Sequence, residues 1–139
     1  AVRPGTAVVS PGALPVLGMD DVLDHARAGL LLDARAGERF RGEVEPMDPR
    51  AGHIPGAVSA PTTQNNDESG RFRSVDELRA RFAALGAEPG STVGVYCGSG
   101  VSAAHEAIAL SLAGYRPVLY PGSWSQWSQH PDRPVATGA

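Results

Sequence analysis

The sequence predicts an α/β domain built around a central, mostly parallel sheet flanked by helices. Three observations predict it. First, Leu30-Leu31-Leu32 and Thr92–Tyr96 are short, nearly continuous apolar runs, the pattern of strands buried on both faces. Second, both runs end in chemistry-bearing residues, Asp33-Ala34-Arg35 and Cys97, and open α/β sheets collect function at the carboxyl ends of their strands. Third, helical patterns alternate with these runs, giving the order β-α-β-loop-β-α-β-loop-α-β-α.

Residues 1–14 are rich in Pro and Gly, with a β-like Ala7-Val8-Val9, and read as a linker or N-terminal extension. The domain is expected over 15–139, with Pro15-Val16-Leu17 as an edge strand. Asp20–Ala28 is a short helix stopped by Gly29, with acidic residues in its first turn. Leu30–Leu32 is the first central strand. Asp33 and Arg35 after it are expected to tie the following loop down by an ion pair or backbone bonds. Gly37–Gly42 makes one helical turn, followed by a polar loop through Glu43, Glu45, Pro46 and Pro49 to Arg50. Gly52-His53-Ile54-Pro55-Gly56-Ala57 is a turn whose Gly and Pro residues fix its path. His53 is expected to hold backbone groups of its own turn. Val58–Ala60 is a short strand ended by Pro61, and Gln64–Gly70 is polar and expected to be mobile.

Ser74 and Glu77 match a capping box. Val75, Leu78, Phe82 and Leu85 recur at helical spacing up to Gly86. After strand Thr92–Tyr96 comes Cys97-Gly98-Ser99-Gly100-Val101-Ser102-Ala103, read as a tight loop and a helix starting near Ser102 and capped by Gly114. Pro117–Tyr120 is a further strand, Pro121–Trp127 a turn and short helix with Trp124 and Trp127 as core and pocket wall, and Pro131 onward a tail.

The 139 residues suit one domain. A net charge of −3 with scattered Arg argues against a nucleic-acid partner, and no apolar run reaches the ~20 residues that span a bilayer. The opening Ala1-Val2-Arg3-Pro4-Gly5 is not a signal peptide and lacks Met, as expected of a fragment or processed product. A single Cys allows no internal disulfide and suits a reducing compartment, so a cytoplasmic location is expected. One Cys and four dispersed His show no metal-ligand spacing, and no cofactor is expected.

The chemistry centres on Cys97. Gly98 and Gly100 can take the positive φ values that curl successive N–H groups inward. The positive end of the following helix points into the resulting cup. A thiol there is expected to ionise more readily than a free one, and the thiolate is the nucleophile. Cysteine at a strand end is otherwise a small buried hydrophobe. A cysteine phosphatase also places Cys in an anion-binding loop, but needs an Arg where this chain has Ala103.

Cys-Gly-Ser-Gly-Val-Ser-Ala resembles the active-site loop of rhodanese-type sulfurtransferases, and among them of 3-mercaptopyruvate sulfurtransferases, which usually have Thr where Ser102 stands. Asp33-Ala34-Arg35, Gly52–Ala57 and Gly122-Ser123-Trp124-Ser125-Gln126-Trp127 match further family motifs, the last closing over the active-site side. The resemblance runs from about Pro15 to Val135 and implies a rhodanese-like domain, the second, cysteine-bearing domain of a tandem protein.

That resemblance implies a Cys97 persulfide formed from 3-mercaptopyruvate with release of pyruvate. Cyanide or a dithiol protein such as thioredoxin then takes the sulfur. It also implies that the amides of Gly98, Ser99, Gly100, Val101 and Ser102 stabilise the thiolate and the transferring sulfur. The Ser99 and Ser102 hydroxyls assist proton handling or organise the backbone. Arg39 and Arg50 are the candidates to bind the donor's carboxylate; the alternative for each is a solvated surface Arg. Thiosulfate as donor and a non-catalytic sulfur-relay or protein-interaction module are the competing readings. The N-terminal rhodanese domain of the parent protein is the expected partner, with no membrane or nucleic acid.

Overall fold

The structure is a computed structural model and describes residues 5, 6, 8, 10, 12 and 14–139. Four strands form its sheet: β1 (Leu30–Asp33), β2 (Val58–Ser59), β3 (Thr92–Tyr96) and β4 (Arg116–Leu119). They lie in the order β2-β1-β3-β4, every neighbouring pair parallel. The register sets Asp33 opposite Tyr96, so the strand ends leading into Ala34-Arg35 and Cys97 fall side by side at one edge. Ala7 and Val9 of the β-like segment lie outside the described residues. The expected edge strand at Pro15–Leu17 is reduced to one parallel bridge, Val16 to Leu119, with the Leu17 N–H donating to the Leu119 carbonyl at 2.8 Å.

Helices α1 (Val22–Ala28), α2 (Gly37–Phe40), α3 (Val75–Ala84), α4 (Val101–Leu112) and α5 (Ser123–Trp127) complete the fold, with a 3-10 turn at Thr62–Asn65. The apolar runs are continuous because the sheet is covered on both sides. Leu32, Val93 and Val95 face a core with Leu78 and Phe82 of α3 and Ala103, Ala109 and Leu110 of α4. Leu31 and Tyr96 face the opposite core, with Val22, Ile54, Tyr120, Trp124 and Trp127. Cys97 belongs to the first core and is 3% exposed.

Element ends match the expected signals with small shifts. The capping box is present: the Glu77 N–H donates to Ser74 Oγ, and Glu77 Oε2 accepts the Ser74 N–H at 3.0 Å. The helix ends two residues before Gly86, whose φ of +99° turns the chain away. α1 starts at Val22, and Asp21 makes no side-chain cap. α4 starts at Val101, one residue early, and Ala113 caps it with left-handed Gly114 next.

Two segments differ more from expectation. Gln64–Gly70 is held, not loose. Gln64 and Asn65 lie in the 3-10 turn, the Asn65 side chain is fully buried, Asn66 bridges Phe72, and Asp67 Oδ1 collects the Ser69 and Arg71 N–H groups. The segment after Pro131 is docked: Ala136 pairs with His53, Trp127 Nε1 donates to the Pro134 carbonyl at 2.9 Å, and the Gly138 N–H donates to the Arg41 carbonyl. That docking explains Gly52, which has φ +123°: a Cβ there would lie 2.4 Å from the Ala136 oxygen.

Candidate active site

Strand β3 ends at Tyr96, and the next residue, Cys97, opens a loop that runs directly into α4. Gly100 is the residue that turns it. Its φ is +88°, and a Cβ there would lie 3.0 Å from the Pro121 carbonyl oxygen, a conformation and an approach that only glycine takes without strain. The turned loop brings the Gly100 N–H to 3.1 Å from Cys97 Sγ. Among the loop amides this is the one within hydrogen-bond distance of the sulfur, so the expected ring of donors is thinner at the sulfur than the sequence suggests. The N-terminus of α4 adds its partial positive charge behind it.

A cleft of about 280 Å³ opens at the loop. Cys97, Gly98, Ser99 and Ser102 form one wall; Arg35, Arg39 and Thr62 stand among the facing residues. Gly100 and Val101 are not in this lining, and the Val101 side chain is 76% exposed. Any role of Val101 is therefore confined to its main chain.

Arg39 is where the helical turn α2 is expected to deliver it. A Cβ placed on Gly98 would lie 3.5 Å from Arg39 Nη1, so the guanidinium borders the cysteine loop. Its Nη2 donates to Glu45 Oε1 at 2.6 Å and to Asp48 Oδ2 at 3.2 Å. Arg50 is a correction. Its Nε, Nη1 and Nη2 donate to the carbonyls of Ser128, Arg133, Trp127 and His130, at 2.8, 2.8, 3.0 and 2.6 Å. Every guanidinium nitrogen is spent on closing the chain after α5, and Arg50 does not line the cleft.

Asp33 and Arg35 form a buried ion pair, with Nη2 to Oδ2 at 2.6 Å and Nε to Oδ1 at 3.0 Å. Arg35 Nη2 also donates to the Gly52 carbonyl, and the guanidinium lies 4.7 Å from the Trp124 ring centre. Burial works against the Arg35 charge, but the Asp33 hydrogen bonds and carboxylate outweigh it and raise its pKa. The tie between strand end and loop is thus the one the residues imply. His53 stacks on Phe40, and its Nδ1 donates to the Phe40 carbonyl at 2.8 Å. It fastens α2, not its own turn. Trp124 and Trp127 are fully buried core and do not line the cleft, which corrects the pocket-wall reading.

Four residues escaped the sequence reading. Glu45 and Asp48 grip Arg39; both lie in a stretch with no periodicity, so only their nearness to two Arg residues hinted at a role. The Thr62 hydroxyl lies 2.7 Å from His105 Nδ1, placing the half-buried His105 in a polar group with the buried Asn65 and Glu106. Ser123 is fully buried with φ +53°. Its Oγ accepts the Cys97 N–H at 3.1 Å and donates to the Tyr120 carbonyl at 2.9 Å. The Trp124 and Ser125 N–H groups donate to the Cys97 and Gly98 carbonyls, both at 2.9 Å. The α5 segment therefore backs the cysteine loop, as expected of a segment closing that side.

A parallel α/β domain with a lone cysteine at a strand end, a glycine-turned loop and an arginine beside it defines a thiol-centred α/β domain. The rhodanese-like domain family model matches residues 19–130, and the chain belongs to that family. It is 51% identical to a Pseudomonas aeruginosa protein named probable 3-mercaptopyruvate sulfurtransferase, over 99% of this chain and 50% of that protein. It is 40% identical to the Escherichia coli K12 3-mercaptopyruvate sulfurtransferase, over 86% of this chain and 44% of that protein. The crystal structure of a probable thiosulfate sulfurtransferase superposes with a TM-score of 0.63 at 36% identity, covering 87% of this chain and 47% of that one. The fold also matches the wild-type structure of EanB, with a TM-score of 0.81 at 24% identity, over 89% of this chain and 32% of that one. The chain spans half or less of the length of these curated relatives. Among the described residues, no group of His, Cys, Asp or Glu could hold a metal ion, and no helix is long and apolar enough to cross a membrane.

Proposed function

We propose that this chain is the cysteine-bearing domain of a tandem sulfurtransferase that takes sulfur from 3-mercaptopyruvate onto Cys97. The observation that carries the reading is a cysteine sulfur at a cleft wall, accepting the Gly100 N–H, with the Arg39 guanidinium against the same loop. The Cys97 thiolate attacks the donor's thiol sulfur. The new S–S bond forms as the C–S bond breaks, and that electron pair passes to carbon. The donor's S–H proton ends on this carbon, giving pyruvate and a Cys97 persulfide anion. Cyanide attacks the outer sulfur in turn, leaving as thiocyanate and restoring the thiolate; a dithiol protein such as thioredoxin is the corresponding protein acceptor. This is covalent catalysis in two half-reactions.

Arg39 binds the donor carboxylate, and the Gly100 amide with the α4 N-terminus stabilises the charge on sulfur. Ser99 and Ser102 line the cleft, where their hydroxyls handle protons; among the described residues they make no hydrogen bond that would organise the loop. The charge balance favours a singly charged donor: Arg35 and Arg39 already face Asp33, Glu45 and Asp48, which disfavours the thiosulfate dianion. Thiosulfate remains the second reading because it figures in the name of a matched structure. We place the domain in the cytoplasm, after an N-terminal rhodanese domain that completes the parent protein.

The test is the mass of Cys97 after treatment with each donor, alongside pyruvate and thiocyanate formation. One added sulfur (about 32 Da) from 3-mercaptopyruvate, absent in Cys97→Ser, is expected. Clear preference for thiosulfate reassigns the donor, and no added sulfur from either donor makes the domain a binding module.

A further inference from the structure

Glu45 has no place in the transfer chemistry, yet it is almost completely hidden, with 4% of its side chain exposed. Its Oε1 accepts three donors: Arg39 Nη2 at 2.6 Å and the N–H groups of Met47 and Asp48, each at 3.2 Å. Its Oε2 accepts Arg35 Nη1 at 3.3 Å. Arg35 is itself fixed to Asp33 at the end of β1 and to the Gly52 carbonyl. A continuous chain of charge-assisted bonds therefore runs from the sheet through Arg35 and Glu45 to Arg39. Only the Nη2 corner of Arg39 is held by it. Nη1 has no hydrogen-bond partner among the described residues and is the nearer of the two to Gly98, 3.5 Å against 3.9 Å for Nη2 from a Cβ built there.

We propose that Glu45 is a positioning residue for the anion site. It clamps one corner of Arg39 to the scaffold so that the other corner faces an anion entering beside Cys97. The role rests on reading the cleft as the donor site, where the Arg39 Nη1 edge meets the donor's carboxylate. Two hydrogen-bonded charges fix a planar guanidinium far better than its own flexible stem does. Displacing a binding group by about 1 Å can cost on the order of a hundredfold in rate. The opposing expectation has the opposite sign. If Glu45 acted only as a nearby negative charge, removing it would strengthen anion binding.

The experiment compares alkylation of Cys97 by iodoacetate, a carboxylate, with that by neutral iodoacetamide, in wild type, Glu45→Gln, Arg39→Gln and the double variant. In both reactions the thiolate sulfur bonds to carbon and iodide leaves. The ratio of the two rates thus cancels the thiol's own reactivity and requires no sulfur transfer. We expect Glu45→Gln to lower the iodoacetate-to-iodoacetamide ratio about as much as Arg39→Gln does, with no further fall in the double variant. With 3-mercaptopyruvate, KM should rise about tenfold while kcat stays within about threefold. A raised or unchanged ratio in Glu45→Gln, or additive losses in the double variant, overturns the proposal. If Glu45→Gln does not fold, Glu45→Asp serves: the shorter arm cannot bridge both arginines, so the ratio must fall, and an unchanged ratio again overturns it. Failure of wild type to accept sulfur from either donor would refute the proposed function while leaving this ratio readable.

Discussion

Ser123 offers the sharpest test of how the cysteine loop is held, because its two contributions have opposite sensitivity to glycine. It is fully buried and left-handed, at φ +53°. An L-residue in that basin costs roughly 1–2 kcal/mol. Its hydroxyl satisfies the Cys97 N–H and the Tyr120 carbonyl, and leaving buried polar groups unpaired costs about 1–3 kcal/mol. Ser123→Ala keeps the strained conformation and loses both bonds, so about 2 kcal/mol of stability should go. That corresponds to roughly 6 °C in Tm for a domain of this size. Ser123→Gly loses the same bonds but relieves the strain, against about 0.5–1 kcal/mol of extra freedom in the unfolded chain. The glycine variant should therefore be the more stable of the two by about 0.5–1 kcal/mol. Urea unfolding followed by the fluorescence of Trp124 and Trp127, both buried, measures each difference. An alanine variant as stable as wild type, or one more stable than the glycine variant, refutes the reasoning.

Two further perturbations probe neighbouring features. Arg50→Ala removes hydrogen bonds to four carbonyls behind α5, so it should cost about 2–4 kcal/mol in urea unfolding; a change in donor KM beyond about twofold in a folded variant would return Arg50 to the anion site. Glu106 is fully buried, and burial raises its pKa despite Arg81, Thr62 and Asn65. The folded state thus binds its proton more tightly than the unfolded chain, so the ionised group weakens the fold at neutral pH, and that burden fades as the pH falls through the folded-state pKa toward the ordinary value of 4.5. Glu106→Gln mimics the protonated side chain: unfolding midpoints should place it above wild type at pH 7 and converge with wild type near pH 4.5, and a wild type more stable at pH 7 would show that the three partners outweigh burial.

What the sequence discloses follows from how local its physics is. Leu30–Asp33 and Thr92–Tyr96 are legible as strands because a sheet covered on both faces demands uninterrupted apolar residues. Ser74 and Glu77 are legible because a capping box closes within one turn. The cysteine loop is legible because Gly100 must adopt a backbone other residues avoid. Arg39, in a helical turn, and Arg50, at the end of the polar loop after it, by contrast carry no local signal that says which of them faces the cleft. What decides between them is contact with carbonyls 77 to 83 residues away in the chain. Separation along the chain likewise hides the docking of 131–139 and the Asn65–Glu106 bond, 41 residues apart, which turn an apparent tail and an apparent loose loop into ordered parts of the fold.

The division of labour around Cys97 has a consequence for where donor choice can reside. The loop's outward-facing polar groups are consumed by main chain and one hydroxyl: the Cys97 N–H by Ser123, and the Cys97 and Gly98 carbonyls by the Trp124 and Ser125 amides. Gly100 is pressed against Pro121. None of these contacts depends on the side chains of Ser99 or Ser102, which make no hydrogen bond among the described residues. The loop is thus shaped by its backing. The proposed function thus puts discrimination between donors on the facing wall, where Arg39 presents a charge already shared with Glu45 and Asp48. On the proposed function, a donor is selected by how well its anion completes that arginine's open corner.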